Sequence, residues 1–390
     1  MNKKLLAAAV AGALVMPGIA LANGSSVTIT GDFKVGVEDF SMGNAASTRA
    51  NSSEMRVVDN SSQIHFNVNE DLGGGLAAIG QLDIRPAFNS GLMSAGGNTF
   101  VGLKGDSWGQ VTLGRWDLHY YNTGDTIAAK AGALEAWNVA LMDGAAGGNV
   151  AVANMTRTPN VVRYDSPNWN GFALTAAWSA NPIPAAATSN DLGTAVAGAT
   201  NRKGNGYVLT PSYTASNWGV GYSYWDAKAD NPGVITAATI ALADQRSDKL
   251  WGYYTMGGFR VALAWDKSRL NDPTGGGGEG SNRTAWSIPL SYNVGPHTFY
   301  LTYTTTKDDS SWDAINPAGP GLNSGAKEVA IAYNYDLSKL TSVGITYARI
   351  NNNNGAQYNL FTSVPLGSAD VAAKPGEDPS ILQATIRQGF

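Results

Sequence analysis

Alternation of apolar and polar residues along most of the chain is the feature that most restricts its fold. Residues 27–38 show it clearly, with Val27, Ile29, Phe33, Val35 and Val37 between Thr28, Thr30, Asp32, Lys34 and Glu38. Because successive side chains of a β-strand point to opposite faces, this pattern predicts strands with one apolar and one polar face. The sequence predicts 16 strands, centred near residues 33, 66, 80, 102, 112, 162, 175, 209, 222, 252, 263, 287, 301, 331, 346 and 385.

The connections between these strands alternate between short and long. Tight turns rich in Gly, Asn, Pro and Asp are predicted at residues 70–75, 106–109, 166–171, 215–218, 257–258, 294–296 and 336–340. Long polar connections are predicted near residues 40–60, 86–97, 117–157, 181–204, 229–246, 269–281, 307–325 and 352–379. An even strand number with short turns at one end and long loops at the other is typical of bacterial outer-membrane β-barrels.

The two predicted faces of the strands also suit a membrane barrel. Apolar faces carry large side chains, for example Phe259, Val261, Leu263 and Trp265, which suit contact with lipid. Opposite faces are small and polar, for example Thr298, Tyr300, Thr302 and Thr304. A barrel of 16 strands is wide enough to enclose an aqueous channel, so the sequence predicts an all-β, 16-stranded antiparallel transmembrane barrel.

The two chain ends fit this interpretation. Lys3 and Lys4 precede a short apolar run with an A-x-A cleavage pattern that ends at Ala22, which predicts a secretory signal peptide. We therefore expect a signal peptide at residues 1–22 and a single barrel domain at residues 23–390. The last predicted strand runs up to Phe390, as expected if it pairs with the first strand and leaves no free edge.

Composition and motifs argue against several other functions. The chain has no cysteine, which excludes disulfides, thiolate metal sites and a cysteine nucleophile. Its formal net charge of −4 argues against a nucleic-acid partner. No P-loop or G-x-S-x-G motif is present, and His65, His119 and His297 lack ligand spacing. We therefore predict no catalytic residues, no metal site and no cofactor.

Three stretches carry a more specific resemblance: NEDLGGGLAAIGQLD (residues 69–83), FVGLKGDSWGQVTLGR (residues 100–115) and RTPNVVRYDSPNWNGFALTAAW (residues 157–178). Together with Phe390, they resemble the general porins of Gram-negative proteobacteria over nearly the whole mature chain. The resemblance implies an outer-membrane homotrimer, surrounded by lipid and lipopolysaccharide, that lets small hydrophilic solutes and ions diffuse passively. It also implies that the third external loop folds into the barrel and narrows the channel.

The resemblance further implies a ladder of basic residues on the inner wall. Alternation places Arg85 on the polar face with Asp83, and Arg163 with Asp165. Arg115 has the parity of the outward residues, so it would need a bulge or the strand end to face inward. The predicted pore-lining set is Arg85, Arg163, Arg115, Arg56, Lys34, Arg260 and Asp83, with Arg56 assigned to the first external loop.

The acids that would face this ladder lie in the third long connection, residues 117–156. Its candidates for the constriction are Asp117, Asp125, Glu135 and Asp143. Apolar residues near helical spacing at Leu134, Trp137 and Leu141 predict a short helix within residues 127–143. The Pro-Glu-Phe-Gly-Gly stretch common in this loop of such porins is absent, so the resemblance does not select one acid.

Three alternative functions remain open at this point. A channel selective for a sugar or a small organic anion would use lumen aromatics such as Trp225, Trp116 and Trp137. An outer-membrane enzyme such as a lipase would need a Ser-His pair near the lipid boundary, and none is evident. A structural or adhesive surface barrel would place its function in the external loops.

Overall fold

The structure is a computed structural model that describes residues 24–44, 52–119, 123–133, 137, 141–142, 157–182, 204–228, 244–271, 279–308, 323–360 and 373–390. Its strands are β1 (Ser26–Gly43), β2 (Ser53–Asp59), β3 (Gln63–Gly73), β4 (Leu76–Pro86), β5 (Met93–Ser94), β6 (Thr99–Gly105), β7 (Gly109–Asp117), β8 (Arg157–Asp165), β9 (Phe172–Ser179), β10 (Asn205–Thr214), β11 (Trp218–Lys228), β12 (Gln245–Met256), β13 (Phe259–Asn271), β14 (Glu279–Val294), β15 (His297–Thr306), β16 (Ala326–Asp336), β17 (Thr341–Asn352) and β18 (Asp378–Gly389).

These strands form one closed antiparallel barrel with 16 strands around its wall, as predicted. Each wall strand pairs with its neighbours in the chain, and β18 returns to pair with β1. Two features explain why 18 strands give a wall of 16. β2 and β3 pair with successive parts of β1 and so make one wall strand, and β5 is a two-residue pairing with the end of β4.

The break between β2 and β3 corrects the predicted first loop. That loop was expected at residues 40–60, but β1 continues to Gly43 and β2 begins at Ser53. Side chains hold the break locally, because the Asp59 carboxylate accepts a hydrogen bond from the Ser62 backbone N–H at 2.9 Å. Arg56 therefore lies on a wall strand and not in an external loop.

The seven predicted tight turns are all confirmed, and the long connections lie at the opposite end of the barrel. Pro211 and Pro289, which fall inside strands, each pair with one neighbouring strand but are missing from the register with the other. Proline has no backbone N–H to donate, so it fits a strand position that is paired on one side only. Among the residues described, no helix is long and apolar enough to cross a membrane.

The outer face of the wall is apolar and solvent-exposed in the isolated chain, as a lipid-facing surface requires. Outward residues such as Leu250, Leu263, Ile288, Leu301 and Ile331 are all exposed. Aromatic pairs gather beside the short turns, at the height of a membrane interface. These pairs include Tyr213 with Trp218, Phe259 with Tyr292, and Trp169 with Phe172.

The C-terminal residue takes part in barrel closure. Phe390 and Gly31 exchange two backbone hydrogen bonds, each 3.1 Å long. The Phe390 ring lies on the outer face, 43% exposed, and its centroid is 5.0 Å from that of Phe33. The chain can therefore end in ordered structure, because its last strand has a partner along its full length.

We predict that a charge on the outer face is strongly destabilising. Leu301 lies near the middle of β15, in an outward row with Leu290 and Ile331. Leu301→Arg should lower the free energy of unfolding by about 2–4 kcal/mol in vesicles, because the guanidinium would face hydrocarbon. Urea titration of the refolded barrel measures this, with Leu301→Phe as the apolar control. Equal stability of Leu301→Arg and the parent would show that this face does not contact lipid.

Candidate functional site

The inner face of the wall carries most of the charged and polar side chains, and Arg85 is the first of two predicted arginines on it. Its Nε and Nη2 atoms donate to the two carboxylate oxygens of Asp83, both at 2.6 Å. Nη1 also donates to the Ser61 hydroxyl at 2.7 Å. His65 Nε2 lies 3.3 Å from Asp83 on the neighbouring strand. This bidentate geometry fixes the guanidinium on the wall while leaving its side chain 18% exposed.

Arg163 has the same arrangement on β8. Its Nε and Nη2 atoms donate to the carboxylate of Asp165 at 2.8–3.0 Å, and Nη1 donates to the Asp117 carbonyl at 3.4 Å. The guanidinium also lies over the Trp116 ring, 4.3 Å from its centroid. With a side chain only 10% exposed, Arg163 is more enclosed than Arg85.

Trp116 and Phe100 form an aromatic surface between these arginines. Their rings are stacked, with centroids 4.2 Å apart. Both line a cavity of about 390 Å³ that also includes His65, Arg85 and Asp117. A cavity with a stacked aromatic pair can accept a flat, partly apolar solute, and its charged lining combines Arg85 with Asp83 and Asp117.

The described part of the third long connection contacts inward-facing side chains on the opposite side of the wall. Lys249 of β12 donates to the Thr123 hydroxyl at 2.8 Å and lies 3.0 Å from the Asp125 carboxylate. Arg260 of β13 donates to the Gly124 carbonyl at 2.7 Å and stacks on Tyr253 at 3.8 Å. These charge-assisted contacts hold residues 123–125 against β12 and β13.

His119, at the start of the same connection, is fully buried against β11 and β13. Its Nδ1 atom is 2.8 Å from the Ser223 hydroxyl, and its Nε2 atom is 3.7 Å from the Asp266 carboxylate. Burial lowers the pKa of His119, and the neighbouring Asp266 opposes this shift. The backbone at His119 is left-handed, with φ of 32°, where the chain turns away from β7.

Further along, the connection reaches β16 and β17. Lys130 donates to the Asp336 carboxylate at 2.6 Å, and the backbone N–H of Ala133 donates to the Thr346 hydroxyl at 3.1 Å. Between them, the Ala131 N–H donates to Asn334 at 3.0 Å. This approach needs a glycine on the wall, because a Cβ at Gly344 would lie 2.5 Å from the Ala131 carbonyl oxygen.

Apolar contacts accompany these polar ones, which modifies the prediction of a polar interior. Residues of the third connection join three buried clusters on the inner wall: Leu118 packs with Trp225, Met142 with Trp251, and Leu141 with other inward residues. Trp225 is fully buried in its cluster and does not present its ring to solvent. The inner face is therefore polar overall but apolar where loop residues pack on it.

The other predicted pore-lining residues lie in different surroundings. Lys34 is buried on the inward face of β1. Arg56 is buried as well, with its Nε atom donating to Glu38 at 2.7 Å and its guanidinium 4.3 Å above the Phe40 ring.

Arg115 does not share the inward face. It is exposed beside a register shift in β7 and pairs with Thr99, which has the parity of the outward Val101. Trp116 takes the inward position after the shift, so the structure places the Arg115 side chain on the outer face at the long-connection end of the barrel.

Two of the four predicted loop acids lie in the described part of the third connection. Asp117 ends β7, 3.8 Å from Arg157, and Asp125 bonds to Lys249 as described above. Glu135 and Asp143 lie outside the described residues. The short helix predicted within residues 127–143 does not include residues 127–133, which are non-helical. Of the remaining residues in that range that the structure describes, only Leu141 and Met142 are helical.

Sequence reasoning missed Lys249 and Asp266, which contact the third connection from the wall. Alternation could have found both. Lys249 shares its parity with the inward Trp251, and Asp266 directly follows the outward Trp265 and so points to the inner face. Among the residues that the structure describes, no group of three or more His, Asp or Glu side chains could hold a metal ion.

Comparison with known proteins gives consistent matches. A family profile for Gram-negative porins matches residues 6–355. An outer membrane porin protein of Bordetella pertussis is 26% identical over 73% of this chain and 76% of its own length. Among solved structures, the anion-selective porin from Comamonas acidovorans aligns with a TM-score of 0.68 at 18% identity, covering 94% of this chain and 100% of that one. The trimer form of OmpT from Vibrio cholerae aligns with a TM-score of 0.58 at 16% identity, with the same coverage.

We predict that a disulfide can join the third connection to β17. The chain has no cysteine, so Ala133→Cys with Thr346→Cys introduces a single pair whose parent residues are in hydrogen-bond contact. Oxidation should give a species with altered electrophoretic mobility that reverts on reduction. The control pairs Ala133→Cys with Ser223→Cys, an inward position on β11. Equal crosslinking of both pairs, or none of the intended pair, would contradict the observed contact.

Proposed function

The chain belongs to the Gram-negative porin family and is an outer-membrane porin, and we propose that its third connection narrows the channel to a size-limited passage for small hydrophilic solutes. Porins of this fold are channels rather than enzymes. The observation that carries the proposal is the set of contacts from His119 and residues 123–133 to inward side chains on β11, β12, β13, β16 and β17. Contacts with β11–β13 and with β16–β17 support a position of this segment inside the lumen, against the inner wall.

The charges around this segment support a role in selecting solutes. Arg85, Arg163, Arg260 and Lys34 are the wall cations that we assign to the passage, together with Asp83. Asp117 and Asp125 are the loop acids that the contacts favour. Opposed charges across a narrow aqueous opening orient dipolar solutes and leave apolar solutes without compensation for lost hydration. The result is diffusion that favours small polar molecules.

We also propose how the protein reaches and occupies its membrane. Residues 1–22 act as the cleaved signal peptide, and residues 23–390 form the single barrel domain. The mature chain assembles as a homotrimer, which is supported by the trimer form of the structurally similar OmpT. Its outer face contacts outer-membrane lipid and lipopolysaccharide.

A second candidate function is preference for small organic anions, and the aromatic cavity beside Arg85 favours it. If Phe100 and Trp116 guide flat solutes past the guanidinium, Trp116→Ala should slow entry of a small aromatic carboxylate several-fold more than entry of a sugar of similar mass. Liposome swelling measures both rates, with Trp169→Ala in an exposed short turn as the control. Equal changes for the two solutes would exclude this preference.

We predict that Arg85 influences the ion preference of the channel. Arg85→Ala removes a positive charge and leaves Asp83 uncompensated, so the reversal potential across a salt gradient should move toward cations. The shift should be larger at 0.01 M than at 0.1 M salt, where the Debye length falls from ~30 Å to ~10 Å. Arg163→Ala should have the same sign and a smaller size, because Arg163 is more enclosed.

The matched control for this measurement is Arg349→Ala, since Arg349 lies on the outer face and pairs with Asp378. Its removal should leave the reversal potential unchanged. If neither inward variant moves the potential at low salt, both arginines serve only the wall structure.

A further inference from the structure

A stack of side chains runs around the inner wall from β8 to β6 and ends at the cavity beside Arg85. The guanidinium of Arg163 on β8 lies 4.3 Å from the centroid of the Trp116 ring, and the Phe100 ring on β6 is stacked on Trp116 with centroids 4.2 Å apart. Two groups this close to one ring lie on opposite faces of it, since they would otherwise overlap. Trp116 therefore has both faces covered, and the open face of the stack belongs to Phe100, which lines the cavity.

The cavity continues this stack toward β4. Gln81 of β4 is the direct cross-strand partner of Phe100, and Arg85 lies four residues further along the same strand. The volume of about 390 Å³ falls within the range of small-molecule sites, about 300–1,000 Å³. A flat ring in this cavity can stack on Phe100 while its substituents reach the side chains of β4.

Acceptor atoms lie at the Phe100 end of the cavity. Gln81 Nε2 donates to the Asn98 carbonyl at 2.8 Å, which leaves Gln81 Oε1 as an acceptor. The Asp117 backbone N–H donates to Asn98 Oδ1 at 2.6 Å, so the same residue holds Asp117 in place. Asp117 lines the cavity, and its carboxylate lies 3.8 Å from Arg157 Nε. An amide oxygen and a carboxylate held by one residue suit an ammonium group, which has three donors and no acceptor.

Arg85 supplies donors at the other end of the cavity. A guanidinium has five N–H donors, and the bonds to Asp83 and Ser61 use three of them. One N–H on each Nη atom remains for a solute. Asp83 itself is closed to a solute, because it is buried and a Cβ at Gly97 would lie 1.8 Å from its Oδ2 atom. Arg85 can therefore bind a carboxylate while Asp83 fixes the position of the guanidinium.

Spacing and charge together define the solute. Side chains two residues apart on one face of a strand are separated by about 7 Å, and the Arg85 guanidinium, bonded to Asp83, lies about one such step from Gln81. A solute with an ammonium and a carboxylate on one carbon spans this distance when each group makes one hydrogen bond. Asp83 and Asp117 outnumber Arg85 in the lining, so a carboxylate alone meets an excess of negative charge. A zwitterion offers a partner to both ends of the cavity.

We propose, on the basis of the channel function proposed above, that this cavity is a binding site for aromatic α-amino acids in their zwitterionic form. The ring of the solute stacks on Phe100, and its carboxylate binds Arg85. Its ammonium group binds Gln81 Oε1 and the Asp117 carboxylate. The ammonium group distinguishes these solutes from simple aromatic carboxylates, and the site favours their passage over that of other solutes of equal size.

Single-channel current in planar bilayers at neutral pH tests the proposal with L-phenylalanine, 3-phenylpropionate and 2-phenylethylamine, which share a phenyl ring. Binding in the lumen interrupts the current, and its concentration dependence gives a dissociation constant for each probe. The parent should bind L-phenylalanine about ten-fold more tightly than either other probe, because each of those lacks one charge-assisted contact. Equal or tighter binding of 3-phenylpropionate would indicate an anion site and would overturn the proposal.

Three variants assign the contacts to individual groups. Asp117→Asn should weaken L-phenylalanine and leave 3-phenylpropionate unchanged or tighter, whereas Arg85→Gln should weaken both of these and not 2-phenylethylamine. Phe100→Leu should weaken all three probes, since each stacks on the same ring. The control is Asp226→Asn, which removes an acid from the outer face, next to the inward Trp225, and should change none of the constants. Equal effects of Asp117→Asn and the control would contradict the assignment of the ammonium group.

Failure of the site and failure of the channel give different results. Steady conductance that L-phenylalanine does not interrupt would overturn the binding site and leave the channel in place. Absence of conductance in the folded parent would contradict the channel, and the binding site with it.

Discussion

The requirement that every backbone hydrogen bond be satisfied within lipid determines the rest of this structure. A sheet in hydrocarbon cannot leave an edge unpaired, so the first and last strands must meet. Here β1 pairs with β18 over twelve positions, and Phe390 continues that contact by bonding to Gly31. Closure gives every wall strand one face toward lipid and one toward the lumen. The position of each side chain along the alternation then decides whether it contacts lipid or water.

The second constraint is the fit between the third connection and the inner wall. Its residues reach β12 and β13 through Lys249 and Arg260, and reach β16 and β17 through Asn334 and Thr346. Small wall residues such as Gly344 allow the backbone of this segment to approach closely. Buried charge pairs such as Lys249 with Asp125 contribute more to a defined position than to stability, since desolvation offsets much of their attraction.

Strand number, turns and the pairing of arginines could be read from the sequence because they depend on local periodicity. Arg85 with Asp83 and Arg163 with Asp165 are two positions apart on one strand, so alternation alone brings each pair to the same face. Local pattern does not decide every position. Alternation gives Arg115 the outward parity that the structure shows, and its place in the pore-lining set came from the resemblance alone. The path of residues 123–133 could not be read from the sequence, because these residues bond to distant strands. Alternation places Lys249 on the inward face, but its contact with Asp125 depends on the position of the third connection, which local pattern does not give.

Single-channel conductance in planar bilayers tests the central account most directly. The measurement compares the parent with Asp125→Ala combined with Lys249→Ala, which removes both partners of a contact between the third connection and the wall. We expect the parent to give discrete conductance steps and the double variant to give larger or more variable steps, because part of the loop is released from the inner wall. Absence of steps in the folded parent, or identical steps in both proteins, would contradict the account of a channel narrowed by this segment.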